Sequence, residues 1–248
     1  MKSIVIMPFY NEETNSKFYT EEIILTFNNS NYLEFDYLLI DDCSVDNTFQ
    51  ELEKIIDKFD NVNLKKNKKN YGHGKTVVEG YEYAIENNYD VAIQIDGDNA
   101  GEPESILKMM EHAYQEDFDL CLATRMKRPD NAIRKIITRI LFFNLSLLFR
   151  VKSNDSNVGI RFMKTSFLEK INLSKVKTLL IPNAYISSFG YYKGYKVSNF
   201  PVNMRNNVRK DRSGEQWGSG NSVKSVFKLL NGSAKCFFEV NTTFRKLM

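Results

Sequence analysis

Through the first half of the chain, short apolar runs that each stop at an acidic or glycine-containing cluster alternate with apolar positions at helical spacing. Ser3–Met7 (SIVIM), ended by Pro8, fits a strand covered on both faces. Phe18–Phe27 predicts a helix, and Tyr37–Ile40 (YLLI) a second strand that stops at Asp41-Asp42. Between Asp46 and Phe59, residues Phe49, Leu52, Ile55, Ile56 and Phe59 form a helical stripe behind an Asp46 cap. Val62–Leu64 predicts a short strand, and residues 75–86 a helix with Val77, Val78, Tyr81, Ala84 and Ile85 on one face. Val91–Ile95 (VAIQI) then runs into Asp96-Gly97-Asp98, Ile106–Ala113 is helical, and Leu120–Ala123 is a strand before Thr124-Arg125.

After residue 125 the pattern loosens. Arg134–Phe149 reads as a helix whose second half (ILFFNLSLLF) is apolar nearly all round, so it either packs in the core or lies at an interface. Within it the aromatic positions Phe142, Phe143 and Phe149 favour core over lipid. Ile160–Met163 and Lys196–Val202 predict strands, and Ala184–Tyr192 a helix. Arg205–Asn221 is polar and Gly/Ser-rich, as a mobile loop would be, and Val223–Leu230 predicts a short amphipathic helix.

Strands alternating with helices imply right-handed crossovers, an α/β class and a mainly parallel central sheet flanked by helices. Ligands of such sheets bind beyond the carboxyl ends of the strands. Pro8–Glu12, Asp41-Asp42, Asp96–Asp98 and Thr124-Arg125 all fall at that end of their strands. This coincidence is the sequence's main physical pointer to an active site.

Composition adds limits. The 248 residues are 42% hydrophobic and 26% charged, which suits one α/β domain, or one with a C-terminal appendage, and excludes a disordered or disulfide-scaffold chain. Three widely spaced cysteines (Cys43, Cys121, Cys236) suggest neither a zinc site nor disulfides, hence a reducing cytoplasm. The N-terminal apolar stretch is too short for a signal peptide, and no run reaches the ~18 apolar residues of a membrane span. The net charge of +3 hides an asymmetry. Residues 1–120 hold 10 Lys+Arg against 25 Asp+Glu, and residues 121–248 hold 24 against 6. The basic half either balances the acidic half within one fold or meets something anionic: nucleic acid, a membrane surface or a phosphorylated small molecule. No nucleic-acid-binding motif or aromatic interleaving accompanies the basic run Lys65, Lys66, Lys68, Lys69, so nucleic acid is disfavoured.

Asp96-Gly97-Asp98 is the sharpest local signal. Two carboxylates in a tight turn can hold a hard divalent cation whose other positions go to phosphate oxygens and water. Such a cation stabilises a departing pyrophosphate. Together with Asp41-Asp42, four carboxylates would converge around one cation, since they repel unless a cation or hydrogen-bond donors offset them. Asn70–Lys75 (NYGHGK) is a glycine-containing turn into a helix N-terminus, suited to a phosphate, but it lacks the spacing of Walker A or GxGxxG loops.

The segments IVIMPFYNEE (4–13), LLIDDCSVDNT (38–48), NYGHGKTVVEGYEYA (70–84), IQIDGDNAGEPE (93–104), LATR (122–125) and DSNVGIRFM (155–163) together resemble the family 2 inverting glycosyltransferases. The likeness is greatest to the dolichol-phosphate mannosyltransferases and other polyprenyl-phosphate glycosyltransferases. It implies a GT-A fold, a domain over residues 1–221 with a nucleotide-sugar half (1–125) and an acceptor half (126–221), and an amphipathic helical tail (222–248). It implies that Pro8, Tyr10, Glu12, Asp41 and Asp42 line the nucleotide pocket, with Gly72 and Lys75 near the donor. Asp96, Gly97 and Asp98 would form the DxD motif, Asp96 and Asp98 holding Mg²⁺ or Mn²⁺. Arg125 would face an acceptor phosphate, joined by Arg161. Arg205, Arg209, Arg212 and Ser213 would belong to a basic loop closing over the phosphates. Ala100 and Gly101-Glu102-Pro103 depart from the usual residues after DxD, and no QxxRW pattern of processive synthases is present.

The expected reaction is metal-dependent transfer, with inversion, from a nucleoside-diphosphate sugar to a polyprenyl phosphate, with peripheral contact at the inner face of the membrane. A soluble enzyme extending a cell-surface glycan on a hydroxyl group is the alternative, and would need a carboxylate base, for which Asp155 is the candidate beside Asp98 at the catalytic centre. A non-catalytic nucleotide-sugar-binding module is a more distant reading.

Overall fold

The computed structural model describes residues 1–30, 32–125, 132–153, 155–205 and 223–248, with backbone alone for 132–135 and 223–229. The first half alternates β1 (Lys2–Phe9), α1 (Ser16–Phe27), β2 (Glu34–Asp41), α2 (Thr48–Ile56), β3 (Val62–Lys66), α3 (His73–Glu86), β4 (Val91–Ile95), α4 (Pro103–Gln115) and β5 (Leu120–Arg125). Then follow α5 (Ala132–Phe149), β6 (Ile160–Lys164), the single turns α6 (Thr165–Leu168) and α7 (Leu173–Val176), α8 (Pro182–Lys193), β7 (Val197–Val202) and α9 (Val223–Glu239). A π-helical turn, Val240–Phe244, leads into α10 (Arg245–Leu247).

The seven strands form one sheet in the order β3-β2-β1-β4-β6-β5-β7. Six run in one direction, and β6 is antiparallel to β4 and β5. The expected mainly parallel α/β sheet is therefore present. Ile4–Met7 of β1 are fully buried on both faces. Helix α3 lies directly on that strand: a Cβ at Gly80 would stand 2.4 Å from Ile6 Cγ2.

Pro8 does not end β1, as the apolar run suggested, but lies within it opposite Ile40. Its carbonyl accepts from Gly97 N (3.3 Å), on the side where the β4 ladder has already ended at Ile6–Gln94, so a missing N–H there breaks no sheet bond. The N-cap of α2 is Asn47 and not the expected Asp46, whose carboxylate sits one position earlier and accepts from Thr48 N at 3.0 Å.

The C-terminal helix runs well past the predicted Leu230. Its far end is anchored by Phe244, whose ring lies 5.1 Å from Tyr185 and 6.2 Å from Phe149, while the Tyr185 hydroxyl donates to Leu247 O at 2.8 Å. Cys43, Cys121 and Cys236 are all free thiols. Among the described residues, no helix is long and apolar enough to cross a membrane.

Candidate active site

Because β1, β2, β4 and β5 are parallel, Pro8–Glu12, Asp41-Asp42, Asp96–Asp98 and Arg125 share one edge of the sheet. There the loops after β1 and β2 are laced together. Asn11 N donates to Ser44 Oγ (3.0 Å), Val45 N to Asn11 Oδ1 (3.0 Å) and Glu12 N to Thr48 Oγ1 (2.8 Å). Tyr10 is half-buried within this pair of loops, and Glu12 is buried, its carbonyl accepting from Asn15 and Ser16 as α1 begins.

Asp42 is buried and fully engaged. Its Oδ1 accepts from Asn67 Nδ2 (2.8 Å) and Tyr71 N (2.9 Å), and its Oδ2 from Gly72 N (2.8 Å). It thus clamps the turn that opens α3, where Gly72 takes a φ of 85° that favours glycine. Asp41, also buried, accepts from Ser44 N at 3.2 Å. The four carboxylates therefore do not converge on one cation: hydrogen-bond donors hold Asp41 and Asp42. Lys75 lies over the Tyr71 ring (3.8 Å to its centroid) and 3.9 Å from the Glu79 carboxylate.

Asp96 and Asp98 are placed differently. Asp96 Oδ1 accepts from Gln94 Nε2 (2.8 Å) and pairs with His73 Nε2 (2.9 Å). Gln94 in turn accepts from the buried Tyr81 hydroxyl. Burial alone would raise the Asp96 pKa, but His73, Gln94 and the charge of Arg161 outweigh it and hold the carboxyl below its ordinary range. His73 responds in kind: burial works against protonation, yet Asp96 and then Asp98 raise it. Asp98 accepts from Ala100 N (3.2 Å), and burial followed by the charge of Asp96 pushes it up to about 7. Gly97 fits between them because a Cβ there would stand 2.3 Å from the Phe9 ring.

Two carboxylates in one turn are the kind of oxygen donors that a hard divalent cation takes. Asp98 is a carboxylate short of positive partners, in a turn whose backbone is fixed, beside a second carboxylate held in one rotamer. Among the described residues no third His, Cys, Asp or Glu completes a metal cluster. The remaining positions would fall to ligand oxygens and water.

On the other side of the edge, three expectations change. Asp155 is buried and paired with Arg125 through both oxygens, Nη2 to Oδ1 at 3.0 Å and Nε to Oδ2. A carboxylate so held orients its arginine and is poorly placed to accept a proton. Arg161, expected at a phosphate, is fully buried instead. Its guanidinium donates to the carbonyls of Val158 (2.6 and 3.1 Å), Asn183 (3.1 Å) and Ser156 (3.3 Å), tying β6 to α8 and the preceding loop. Arg205 donates to Asn99 Oδ1 (2.6 Å) and Glu22, and its N–H to Ala100 O (2.8 Å), so it latches the turn after Asp98 onto α1. Arg209, Arg212 and Ser213 lie outside the described residues.

His73, Gln94 and Asn67 were not singled out as site residues by sequence. Gly-His-Gly at the entry to α3 was visible, but nothing local tells that its imidazole reaches across to a residue 23 positions later.

A mainly parallel sheet with an Asp-Gly-Asp turn, a glycine-bearing helix entry and an arginine at its carboxyl edge fits a GT-A type of fold. The Glycosyl transferase family 2 pattern matches residues 4–171, and the chain belongs to that family. It is 29% identical over 175 residues to an uncharacterized protein of Methanocaldococcus jannaschii, covering 67% of this chain and 73% of that one. It is 25% identical over 179 residues to the undecaprenyl-phosphate 4-deoxy-4-formamido-L-arabinose transferase of Pseudomonas fluorescens, covering 72% of this chain and 51% of that enzyme. The polyprenol monophosphomannose synthase of Mycolicibacterium smegmatis is 24% identical over 182 residues, covering 71% and 66%. The match thus spans about half to two thirds of these two enzymes. Among solved structures, the fold is similar to Mycobacterium tuberculosis glucosyl-3-phosphoglycerate synthase with Mn²⁺, UDP-glucose and phosphoglyceric acid (TM-score 0.60, 12% identity, 94% of this chain and 80% of that one). It is also similar to Staphylococcus aureus TarS with UDP (TM-score 0.53, 18% identity, 82% and 57%).

Proposed function

We propose that this chain transfers a sugar, with inversion, from a nucleoside diphosphate to a polyprenyl phosphate at the cytoplasmic face of a membrane. The observation that carries the reading is the Asp96–Asp98 pair, braced by His73 and Gln94, at the same strand edge as the Arg125–Asp155 pair. Asp96 and Asp98 would hold Mg²⁺ or Mn²⁺, and such a cation offsets charge growing on a departing diphosphate. Tyr10 and the laced loops beside Asp41 and Asp42 form the side where the nucleotide would lie. Asp42 sets the turn whose glycine and helix N-terminus would meet the donor phosphates.

In the transfer, an acceptor oxygen bonds to the anomeric carbon while the bond from that carbon to the diphosphate breaks on the opposite face. A phosphate acceptor is already ionised at neutral pH and needs no base, whereas a hydroxyl does. Asp155, the acid the sequence put forward for that work, is engaged by Arg125 through both oxygens. This favours the phosphate acceptor over a glycan hydroxyl, as do the two polyprenyl-phosphate relatives and the basic second half of the chain. Arg125, oriented by Asp155, supplies positive charge for that acceptor. The basic stretch with Arg209, Arg212 and Ser213 follows directly after the Arg205 latch in sequence.

The test is a panel of UDP- and GDP-sugars with Mn²⁺, read first by thermal shift and then by transfer to a polyprenyl phosphate or a glycan. A nucleotide that stabilises the protein only with metal, and transfer to the lipid phosphate that Asp98→Ala abolishes, is the expected result. No stabilisation by any nucleotide sugar, or transfer to the glycan alone, rules the proposal out.

A further inference from the structure

Helix α5 turns an apolar face outward. Ile136, Ile140, Phe143 and Leu147 are 55%, 55%, 69% and 72% exposed, at spacings of four, three and four residues that put them on one side of the helix. The stripe is ~16 Å long. The opposite side is the one that packs, with Leu145 and Phe149 buried. A surface helix ordinarily shows polar residues to solvent, so α5 is apolar on the wrong side for a helix whose outer face meets water. In the first half the exposed apolar residues are fewer on any one element, with Phe18 and Leu25 as a pair seven positions apart on α1 and Val45 in a loop. Of the three aromatics expected in the core, Phe149 is there, Phe142 is half-buried and Phe143 faces out.

The charges around this face narrow the occupant. Residues 132–153 carry five Lys or Arg and no Asp or Glu. Helix α9, which packs against α5, lies in a segment (223–248) with five Lys or Arg and a single acid, Glu239, which accepts from Leu180 N. Arg139 is exposed on one flank of the stripe, Arg150 is exposed directly after the end of the helix, and Lys152, Lys235, Arg245 and Lys246 are exposed as well. Helix α9 also leaves Leu230 and Phe238 in solvent. A second copy of this chain seated on the face would bring like charges together. An apolar stripe rimmed by cations matches the headgroup and acyl boundary of an acidic membrane.

We propose that α5, supported by α9, docks this protein onto an anionic lipid bilayer, with Ile140, Phe143 and Leu147 entering the acyl boundary and Arg139 and Arg150 meeting lipid phosphates. The inference deepens the polyprenyl-phosphate reading by naming the surface that would bring the site to its acceptor, but its own observations are independent of that reading.

Flotation of the full chain with phosphatidylcholine vesicles, and with vesicles containing phosphatidylglycerol, tests it. The protein should float with the anionic vesicles, and less so at high salt. Phe143→Glu/Leu147→Glu should lower binding at least ~10-fold, and Arg139→Glu should weaken it, with unchanged circular dichroism and melting temperature. Failure of the native protein to float, or equal flotation of the double variant, overturns the proposal. So does a dimer in solution that the double variant splits without any vesicle binding, which assigns the face to a second copy. Transfer to a water-soluble short-chain prenyl phosphate separates the two readings. The double variant should keep that activity. Flotation without transfer by the native protein removes the acceptor assignment and leaves the docking face standing.

Discussion

Gly159 lies so close to Asp96 that a Cβ built on it would stand 1.7 Å from Oδ2 and 2.1 Å from Cγ. Asp96 has no room to withdraw, since Gln94 and His73 hold its other oxygen and its N–H donates to Gly159 O (3.1 Å). Gly159→Ala should therefore expel the carboxylate from its place while β6 continues to pair with β4. The expected outcome is at least a ~100-fold loss of transfer and weaker Mn²⁺-dependent nucleotide binding, with stability lowered by only about 1–3 kcal/mol. Kinetics and denaturant melts of the one variant check both halves.

Asp98 gives a prediction with a definite sign. Its pKa rises from an ordinary 3.8 to about 7 in the fold, because burial and then Asp96 disfavour its charge. Between those values the folded chain holds more protons than the unfolded one, so this group's contribution to stability falls as pH rises from about 4 to about 7. Asp98→Asn removes that penalty. Without metal, the variant should melt higher than the native protein at pH 8 and similarly at pH 4. With Mn²⁺ and a nucleoside diphosphate the order should reverse, because only the native protein gains from the ligand. A variant that still gains in this way would show that Asp98 is not a metal ligand.

Arg161 separates burial from ligand binding. Its guanidinium makes its bonds to the carbonyls of Val158, Ser156 and Asn183 inside the protein. Arg161→Gln should lower stability by about 3–5 kcal/mol in urea melts, since it leaves those carbonyls without a matched fork of donors. A residue serving an acceptor phosphate would instead raise the acceptor KM and leave the melt unchanged.

These cases mark the limit of what the sequence shows. The strands were legible because parallel strands covered on both faces are uninterrupted apolar runs, and Val91–Ile95 is found with the expected ends. The site edge followed from the same runs, because each stopped at a polar cluster on the same side. Arg161 was put at a phosphate by the family resemblance of DSNVGIRFM, not by any feature of its own surroundings in the sequence. Only the sheet shows that it sits between Ile160 and Phe162 in a strand buried on both faces. Asp42 looked like a second metal ligand, but its partners Asn67, Tyr71 and Gly72 come from a turn 25 to 30 residues away. The last helix, read as a short one over Val223–Leu230, passes through Asn231-Gly232, a pair that commonly marks a turn. Packing of Val240 and Phe244 against the body of the protein carries the helix through it.

The Arg125–Asp155 pair distinguishes the two acceptor chemistries. If Asp155 orients Arg125, then Asp155→Asn keeps the shape, loosens one partner and leaves a phosphate acceptor to attack without a base. The acceptor KM should rise about 10-fold, kcat should change by no more than about 3-fold, and the acid limb of the pH profile should stay where it is. A general base would behave otherwise, with kcat falling about 10²–10⁴-fold and its limb disappearing. The double variant adds a check on the route of the effect. Once Arg125→Ala has removed the guanidinium, Asp155→Asn should have little further to disturb, and the two losses should fall well short of additive. Full additivity would mean that each residue acts on the acceptor separately, and the carboxylate would again be a candidate for proton transfer to a hydroxyl acceptor.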